Sequence, residues 1–444
     1  MEFTALENAG ILDAMSYCGR GIFLPQGIFF WSGRAKKEAD INATIGSAKG
    51  KRSDFLADGD GRISTFYIPS IMKALREVDP EKLVPYAPIS GVPRFRDAWR
   101  SWIIRKLGAC CEFDPALIGK PIAVPGVSSG LAYVSQLFLT PGDTIICHDR
   151  KWENYNLMFG AVQGVKVRSV PLFSGSGLDV DSFIKAVRET ASSQNPVAVL
   201  NFPNNPTGFM PSVQDGIRLR DGLVEVAEET GKKIILIFDD AYDGFVYDAD
   251  AAQISLFGHF VGAHPGIIPI KCDGTSKEML MYGARTAAVT FGLHPGWGDP
   301  ADIQKELDNK VGAYIRGTVS NSVHVFQEVV ADVIEQGDSW IQERDTVIGV
   351  LADRYRILKS ELESADLGGS RPDHFNSGFF CFLNLDVPAD DFADYLLVNQ
   401  RVGLIPLVEP ENGINGVRIA FCSVDRDMIP ETVSKIAAAK KAFS

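Results

Sequence analysis

The sequence predicts an α/β protein: a large domain with a mostly parallel seven-stranded sheet sandwiched by helices, followed by a smaller α+β domain. Three observations carry this expectation. Seven short apolar, β-branched runs recur through the middle of the chain, each bounded by Gly, Pro, Asn or Asp. Helix-like stretches lie between them, which calls for βαβ crossovers and a sheet covered on both faces. Beyond about residue 316 the pattern becomes long helical spacing, then two further strand-like runs, SGFFCFLNLD and GVRIAFCS.

In order, the seven runs are IAVP near residue 122, TIICH near 144, VKVRSVP near 165, VAVLNF near 197, KIILIFDD near 233, IIPIKC near 267 and TAAVTFG near 286. All are too short for buried helices. SGLAYVSQLFL and VQDGIRLRDGLVEVAEETG are expected as helices, the second closed by Gly231 as its C-cap. A long helical region is expected from roughly 318 to 364. The stretch before about residue 65 reads as irregular. The predicted division is an N-terminal segment at 1–65 packing with the small domain, a large domain at 66–316 and a small domain at 317–444.

A chain of 444 residues exceeds one compact core. Its 45% apolar and 23% charged residues suit a soluble globular protein. The net charge of −12 argues against nucleic acid or an anionic membrane as partner, while leaving room for a local basic pocket. Seven cysteines (18, 110, 111, 147, 272, 381 and 422) show no metal-ligand spacing and several lie in apolar runs. Buried, reduced thiols, a cytoplasmic location and no metal site are the expectation. The opening MEFTALENAG has no basic n-region, and no apolar run approaches the roughly 20 residues of a membrane span.

Chemistry-bearing motifs fall where these strands end. PGVSSGLAY at 125–133 joins a strand to a helix, and its small residues would let backbone N–H groups approach an anion at the helix N-terminus. Simple N-capping by Ser128 or Ser129 would also explain it. KWENYN at 151–156 offers an aromatic for stacking or for the core. NFPNNPTG at 201–208 must turn sharply and holds side-chain amides at the sheet edge. IFDDAYDGF ends a buried strand in two carboxylates, costly without a cationic partner. Of these, Asp240 suits an exposed strand end better than Asp239. DGTSKEMLMYGAR at 273–285 places Lys277 at the end of another strand. Together the runs deliver the Ser128 turn, Asn205, Asp239 and Lys277 to the carboxyl edge, where open α/β sheets bind ligands.

NNPTG, DDAY and SK…R, in this order and each at a strand end, resemble the fold type I, pyridoxal-phosphate-dependent aminotransferases of class I/II, of the aspartate aminotransferase type. The likeness runs from YAPISGVPRFRDA at 86 to GVRIAFCS at 416. It implies the PLP-transferase fold, pyridoxal 5'-phosphate as cofactor, and amino acid and 2-oxo acid substrates. Lys277 resembles the lysine that forms an imine with the cofactor, and Asp239 the carboxylate that pairs with the ring nitrogen. Asn205 and Tyr242 resemble the residues on the ring's 3-oxygen, and Trp152 the stacking aromatic. Arg285, Ser276 and the Val127, Ser128 and Ser129 turn resemble the phosphate site. Tyr86 resembles a tyrosine reaching the neighbouring subunit's cofactor, which implies a homodimer with shared active sites. Arg418 resembles the clamp on the substrate α-carboxylate, and Gly46 a glycine beside the substrate. Arg316, four positions before Ser320-Asn321, matches the spacing of an arginine that binds a distal carboxylate across the interface.

Four departures stand out, the first being Trp152 where the stacking motif usually has Tyr. Gly274 replaces the usual phosphate-binding serine, with Thr275 or Ser276 left to compensate. The glycine usual two residues after the phosphate arginine is Ala287. The prolines that normally follow Ser-Asn are missing. The expected reaction is transamination from an L-amino acid, with acidic or aromatic donors favoured, to a 2-oxo acid such as 2-oxoglutarate by a ping-pong mechanism. The alternative is a β-lyase or decarboxylase on the same scaffold.

Overall fold

The computed structural model describes residues 3–24 and 27–443. Its central sheet has seven strands: β1 (Ile122–Val124), β2 (Thr144–His148), β3 (Lys166–Val170), β4 (Val197–Asn201), β5 (Ile234–Asp239), β6 (Ile267–Gly274) and β7 (Ala287–Phe291). All seven predicted runs take their places, in the spatial order β1-β7-β6-β5-β4-β2-β3. Every residue of β1, β4, β5 and β7 is buried, so apolar side chains face helices on both sides. The helices Val127–Phe138 and Val213–Thr230 flank it, and Gly231 closes the second at φ +65°. A left-handed C-cap favours glycine, which has no Cβ to clash.

Register explains where the site must lie. Strand β7 runs antiparallel to both its neighbours, while the other pairs are parallel. Six strands therefore end at one edge, and β7 starts there: Ala287 is level with Gly274 on one side and Val124 on the other. Asp239 is level with Asn201 and Cys272. The turns after β1, β2, β4, β5 and β6, and the residues before β7, share that edge.

The second sheet is antiparallel, ordered β8 (Arg371–Pro372), β9 (Cys381–Asn384), β11 (Ile414–Ile419) and β10 (Ile405–Glu409). Helix Ala389–Gln400 covers it, and Ile429–Phe443 packs on that helix and on Ser339–Ser364. The N-terminal stretch is more regular than its sequence suggests: Gly27–Glu38 is a helix, and Ile41 and Asn42 pair in parallel with Val402 and Gly403. Trp31, Ile41 and Ala43 enter the second core. The expected helical region after 318 is broken into Val325–Glu335 and Ser339–Ser364. The apolar contacts change partner later than residue 316. Val329, Val330, Val347 and Leu351 belong to the first core, Tyr355, Leu358 and Leu362 to the second, and Phe379, Phe380, Ala420 and Cys422 to the first again, so the two cores interlock beyond residue 316. Among the described residues, no helix is long and apolar enough to cross a membrane.

Candidate active site

A cavity of about 390 Å³ opens at the carboxyl edge of the sheet, within the size range of small-molecule sites. Val127, Ser128, Trp152, Asn205, Asp239, Tyr242, Ser276, Lys277, Arg285, Gly46 and Arg418 all line it. Eleven of the fourteen residues expected from the sequence thus meet in one place. Ser129 does not: its hydroxyl donates back to the Pro125 carbonyl at 3.2 Å. Tyr86 and Arg316 lie outside the cavity. Tyr86 is 86% exposed, and Arg316 donates to the Ser320 hydroxyl at 2.6 Å on the surface.

Lys277 sits in a short helical turn, Thr275–Glu278, directly after β6. Its ammonium lies 4.9 Å from the Tyr282 ring centre and 5.6 Å from that of Tyr242. Burial lowers its pKa to about 8; Cys422 and Asp239 act against this, and Arg285 and Arg418 with it. A larger share of the amine is therefore neutral near pH 7 than in water, and only a neutral amine is nucleophilic.

Asp239 closes β5 and is buried. Its carboxylate accepts from the Tyr155 hydroxyl at 2.5 Å and from the Ala241 amide at 3.4 Å. Burial pushes its pKa up to about 6, against the Tyr155 and Ala241 hydrogen bonds and the charge of Lys277. The neighbouring Asn201 side chain donates to the Asp239 carbonyl at 3.0 Å and accepts from the Asn205 amide at 3.0 Å. This pair of bonds fixes the NFPNNPTG turn against the end of β5, and Asn205 faces the cavity as a result.

Arg418, on β11, donates to Asn205 Oδ1 at 3.1 Å and to the Thr44 carbonyl at 3.0 Å. Its guanidinium lies 4.2 Å over the Phe380 ring, a stacking geometry that fixes the plane of the fork. Its buried Nε has no hydrogen-bond partner. An unmatched donor here costs free energy, and an incoming carboxylate would satisfy it. Gly46 is required beside it: an added Cβ would lie 2.6 Å from Phe380 Cζ.

At the other end, the helix Val127–Phe138 points its first amides into the cavity edge, where intrahelical partners do not exist. Arg285 adopts φ +54° and donates to the Ser276 hydroxyl at 3.3 Å and the Tyr282 carbonyl at 3.2 Å. Gly126, at φ +91°, lets it come this close: a Cβ there would stand 2.0 Å from Arg285 Nη2. Amides, Ser128, Ser276 and Arg285 make an anion cradle. Gly274 has no room for the serine usual in the resembled family. Its Cβ would fall 2.6 Å from Ala287 Cβ and 2.8 Å from the Thr286 carbonyl, so the Ser276 hydroxyl is the one on Arg285.

Four site features were not anticipated from the sequence: Tyr155, Tyr282, Phe380 and Asn201. Tyr155 lies in the KWENYN motif itself, three residues after Trp152, and Phe380 in the SGFFCFLNLD strand, so both had a local signal. Tyr282 is held by the Ala48 amide, which donates to its hydroxyl at 2.9 Å, a contact across 234 residues that no local pattern reveals. Asp240 corrects the expectation of an exposed strand end. It is only 4% exposed and pairs with Lys271 at 2.6 Å.

With three cations and one carboxylate, the cavity suits a ligand carrying both an anionic group and a basic ring nitrogen. Pyridoxal phosphate is such a group. The cradle, the buried carboxylate and the depressed lysine fit its phosphate, ring nitrogen and aldehyde.

Comparison with known proteins agrees. Residues 57–436 match the family described as aminotransferase class I and II. The chain is 23% identical to an aspartate aminotransferase of Pyrococcus horikoshii over 87% of this chain and 90% of that protein. It is 27% identical to a 4-dedimethylamino-4-oxo-anhydrotetracycline transaminase of Streptomyces rimosus, over 77% and 82%. Among solved structures, an aminotransferase from Anaerococcus prevotii superposes with a TM-score of 0.81 at 24% identity, covering 96% of this chain and 98% of that one. A kynurenine aminotransferase of Pyrococcus horikoshii gives a TM-score of 0.77 at 17% identity, over 98% and 99%. The match across most of the chain shows that this protein belongs to the class I and II aminotransferases, enzymes that use pyridoxal phosphate.

Proposed function

We propose that the protein moves an amino group from an L-amino acid, acidic or aromatic by preference, to a 2-oxo acid such as 2-oxoglutarate by a ping-pong mechanism. One observation carries this reading: the lowered Lys277 amine shares a cavity with Asp239, Arg285 and Arg418, and their charges match one cofactor and one amino acid carboxylate. Bound cofactor supplies an electron sink for the bond broken at Cα.

The residues divide the work. Arg285, Ser276, Ser128 and the amide of Val127 would hold the phosphate. Asp239, ionised above its raised pKa, would pair with the ring nitrogen and favour its protonated form. Tyr242 and Asn205 would serve the ring's 3-oxygen, and Trp152 would stack on the ring. Arg418 grips the α-carboxylate with its free Nε edge and sets the Cα–H bond beside Lys277. Lys277 would then be the base that moves the proton between Cα and the cofactor carbon that carried the aldehyde. Gly46 leaves space for the substrate.

Tyr86 and Arg316 act in a homodimer, each reaching the partner's site. Their exposure outside this chain's own cavity supports that placement. Arg316 would meet a distal carboxylate, so Arg316→Ala weakens dicarboxylate donors far more than monocarboxylate ones; equal losses would remove the role. The reading is tested with the cofactor-loaded enzyme and an amino acid alone. A transaminase converts the cofactor to its amine form and releases one equivalent of 2-oxo acid. A β-lyase instead releases pyruvate and ammonia over many turnovers, which would replace the proposal.

A further inference from the structure

Behind the cavity lies a second concentration of charge that the proposed chemistry does not use. Lys271 Nζ is 2.6 Å from Asp240 Oδ2, 2.9 Å from Asp243 Oδ2 and 3.7 Å from Asp273 Oδ2. Lys106 Nζ, from the helix Pro93–Gly108, is 2.8 Å from Asp243 Oδ2 and 2.7 Å from Glu278 Oε1. Asp243 therefore bridges two ammonium groups. Trp99 and Trp102 donate their indole N–H groups to Asp273 at 2.9 Å and Glu278 at 2.6 Å. The Ser255 hydroxyl donates to Asp240 at 2.6 Å and its amide to Asp243 at 2.9 Å. Arg344 donates to the main-chain carbonyls of Glu278 and Asp243 at 3.2 and 3.3 Å. Lys106, Lys271, Asp240, Asp243, Asp273 and Glu278 are all buried, as is Arg344.

The cluster is interleaved with the site. Asp240 follows Asp239, Asp243 follows Tyr242 and Glu278 follows Lys277. At each of these three steps, two within Asp239–Asp243 and one at Lys277, one residue lines the cavity and the next joins the cluster. Adjacent Cα atoms are held about 3.8 Å apart, so whatever fixes the cluster fixes the site residues. Burying six ionisable side chains is poor economy for stability alone, since apolar replacements of such pairs are often neutral or stabilising. Directed ammonium–carboxylate bonds instead select one arrangement of these two segments. Burial works to raise the Asp243 carboxyl, yet Lys106 and Lys271 hold it well below the usual range, so it stays an anion bridging them.

We propose that this cluster, centred on Asp243 and its two lysines, positions the turns carrying Asp239, Tyr242 and Lys277 and thereby sets the reactivity of the Lys277 amine. Asp243, Lys106 and Lys271 are positioning residues that touch neither cofactor nor substrate. The inference rests on Lys277 being the reactive amine.

The test compares Asp243→Asn, which keeps the shape and removes the bridge, with Leu396→Ala, a cavity in the separate second core. Measured are melting temperature, cofactor dissociation constant, kcat and KM, and the pH midpoint of the visible band of the lysine-bound cofactor. For Asp243→Asn, cofactor affinity falls by about tenfold or more and kcat by on the order of 100-fold, with KM little changed and the pH midpoint displaced. Leu396→Ala lowers the melting temperature and leaves the midpoint and affinity within about twofold. If Asp243→Asn does not fold, Asp240→Asn takes its place, because Lys271 then keeps Asp243. Its midpoint and affinity are expected to move in the same way. Variants that match Leu396→Ala in every readout overturn the proposal. If the native chain forms no visible band at all, the functional reading falls instead.

Discussion

Removing one hydroxyl tests how Asp239 is kept ionised. Tyr155→Phe deletes the donor at 2.5 Å from Asp239 Oδ2 and leaves the ring in place. A hydrogen bond to a charged group contributes about 1.5–3 kcal/mol, or about 1–2 pKa units. Asp239, at about 6 in the native chain, then rises to roughly 7.5. At pH 6.5 its ionised fraction drops from about 75% to about 10%, and apparent cofactor affinity falls with it by roughly eightfold. Above about pH 8.5 the two proteins converge. The assay is cofactor titration of both chains across pH 5.5–9. The sign for folding follows the same group. Because its folded pKa is raised, its contribution to the stability of the cofactor-free chain is fully present below pH of about 4 and is lost as pH rises through about 6. In Tyr155→Phe that loss extends upward to roughly pH 7.5. Parallel affinity profiles, displaced by a constant factor at every pH, would refute the reasoning.

Two further substitutions probe the ends of the cavity. Arg418→Met removes a buried fork and should lower kcat/KM for every amino donor by roughly 30-fold or more, from a loss of about 2–5 kcal/mol, with the cofactor dissociation constant little changed. Steady-state kinetics with fluorescence titration checks both. Gly274→Ser restores the residue usual in the family, yet forces Cβ to 2.6 Å from Ala287 Cβ. Overpacking of about 1–3 kcal/mol is expected, read as a lower melting temperature without tighter cofactor binding.

The strands were legible because burial on both faces leaves an unbroken apolar run, and IILIFD or VAVLN can be little else. The site was legible where chemistry-bearing residues sit in unusual turns at strand ends. Asp240 was misplaced because its partner, Lys271, lies 31 residues away inside the apolar run IIPIKC, where a lysine gives no local hint of pairing. The same holds for Tyr282 and Ala48, joined across 234 residues. The helix Gly27–Glu38 was missed because its apolar side chains do not gather on one face: Phe29 and Phe30 are exposed while Trp31 is buried. Gly274 is the instructive departure. The resemblance marked a missing serine, and only the antiparallel pairing with Ala287 showed why no side chain fits.

The central claim is that Lys277 supplies the amine on which the reaction turns. Its most direct measurement is the visible absorbance and amino-transfer rate of Lys277→Ala after incubation with pyridoxal phosphate, beside the native chain. The account predicts that the band from covalent attachment is absent and that turnover is abolished, while the melting temperature of the cofactor-free protein is preserved or raised, because burial penalises the charged amine at neutral pH. A variant that keeps both the band and the turnover would contradict it.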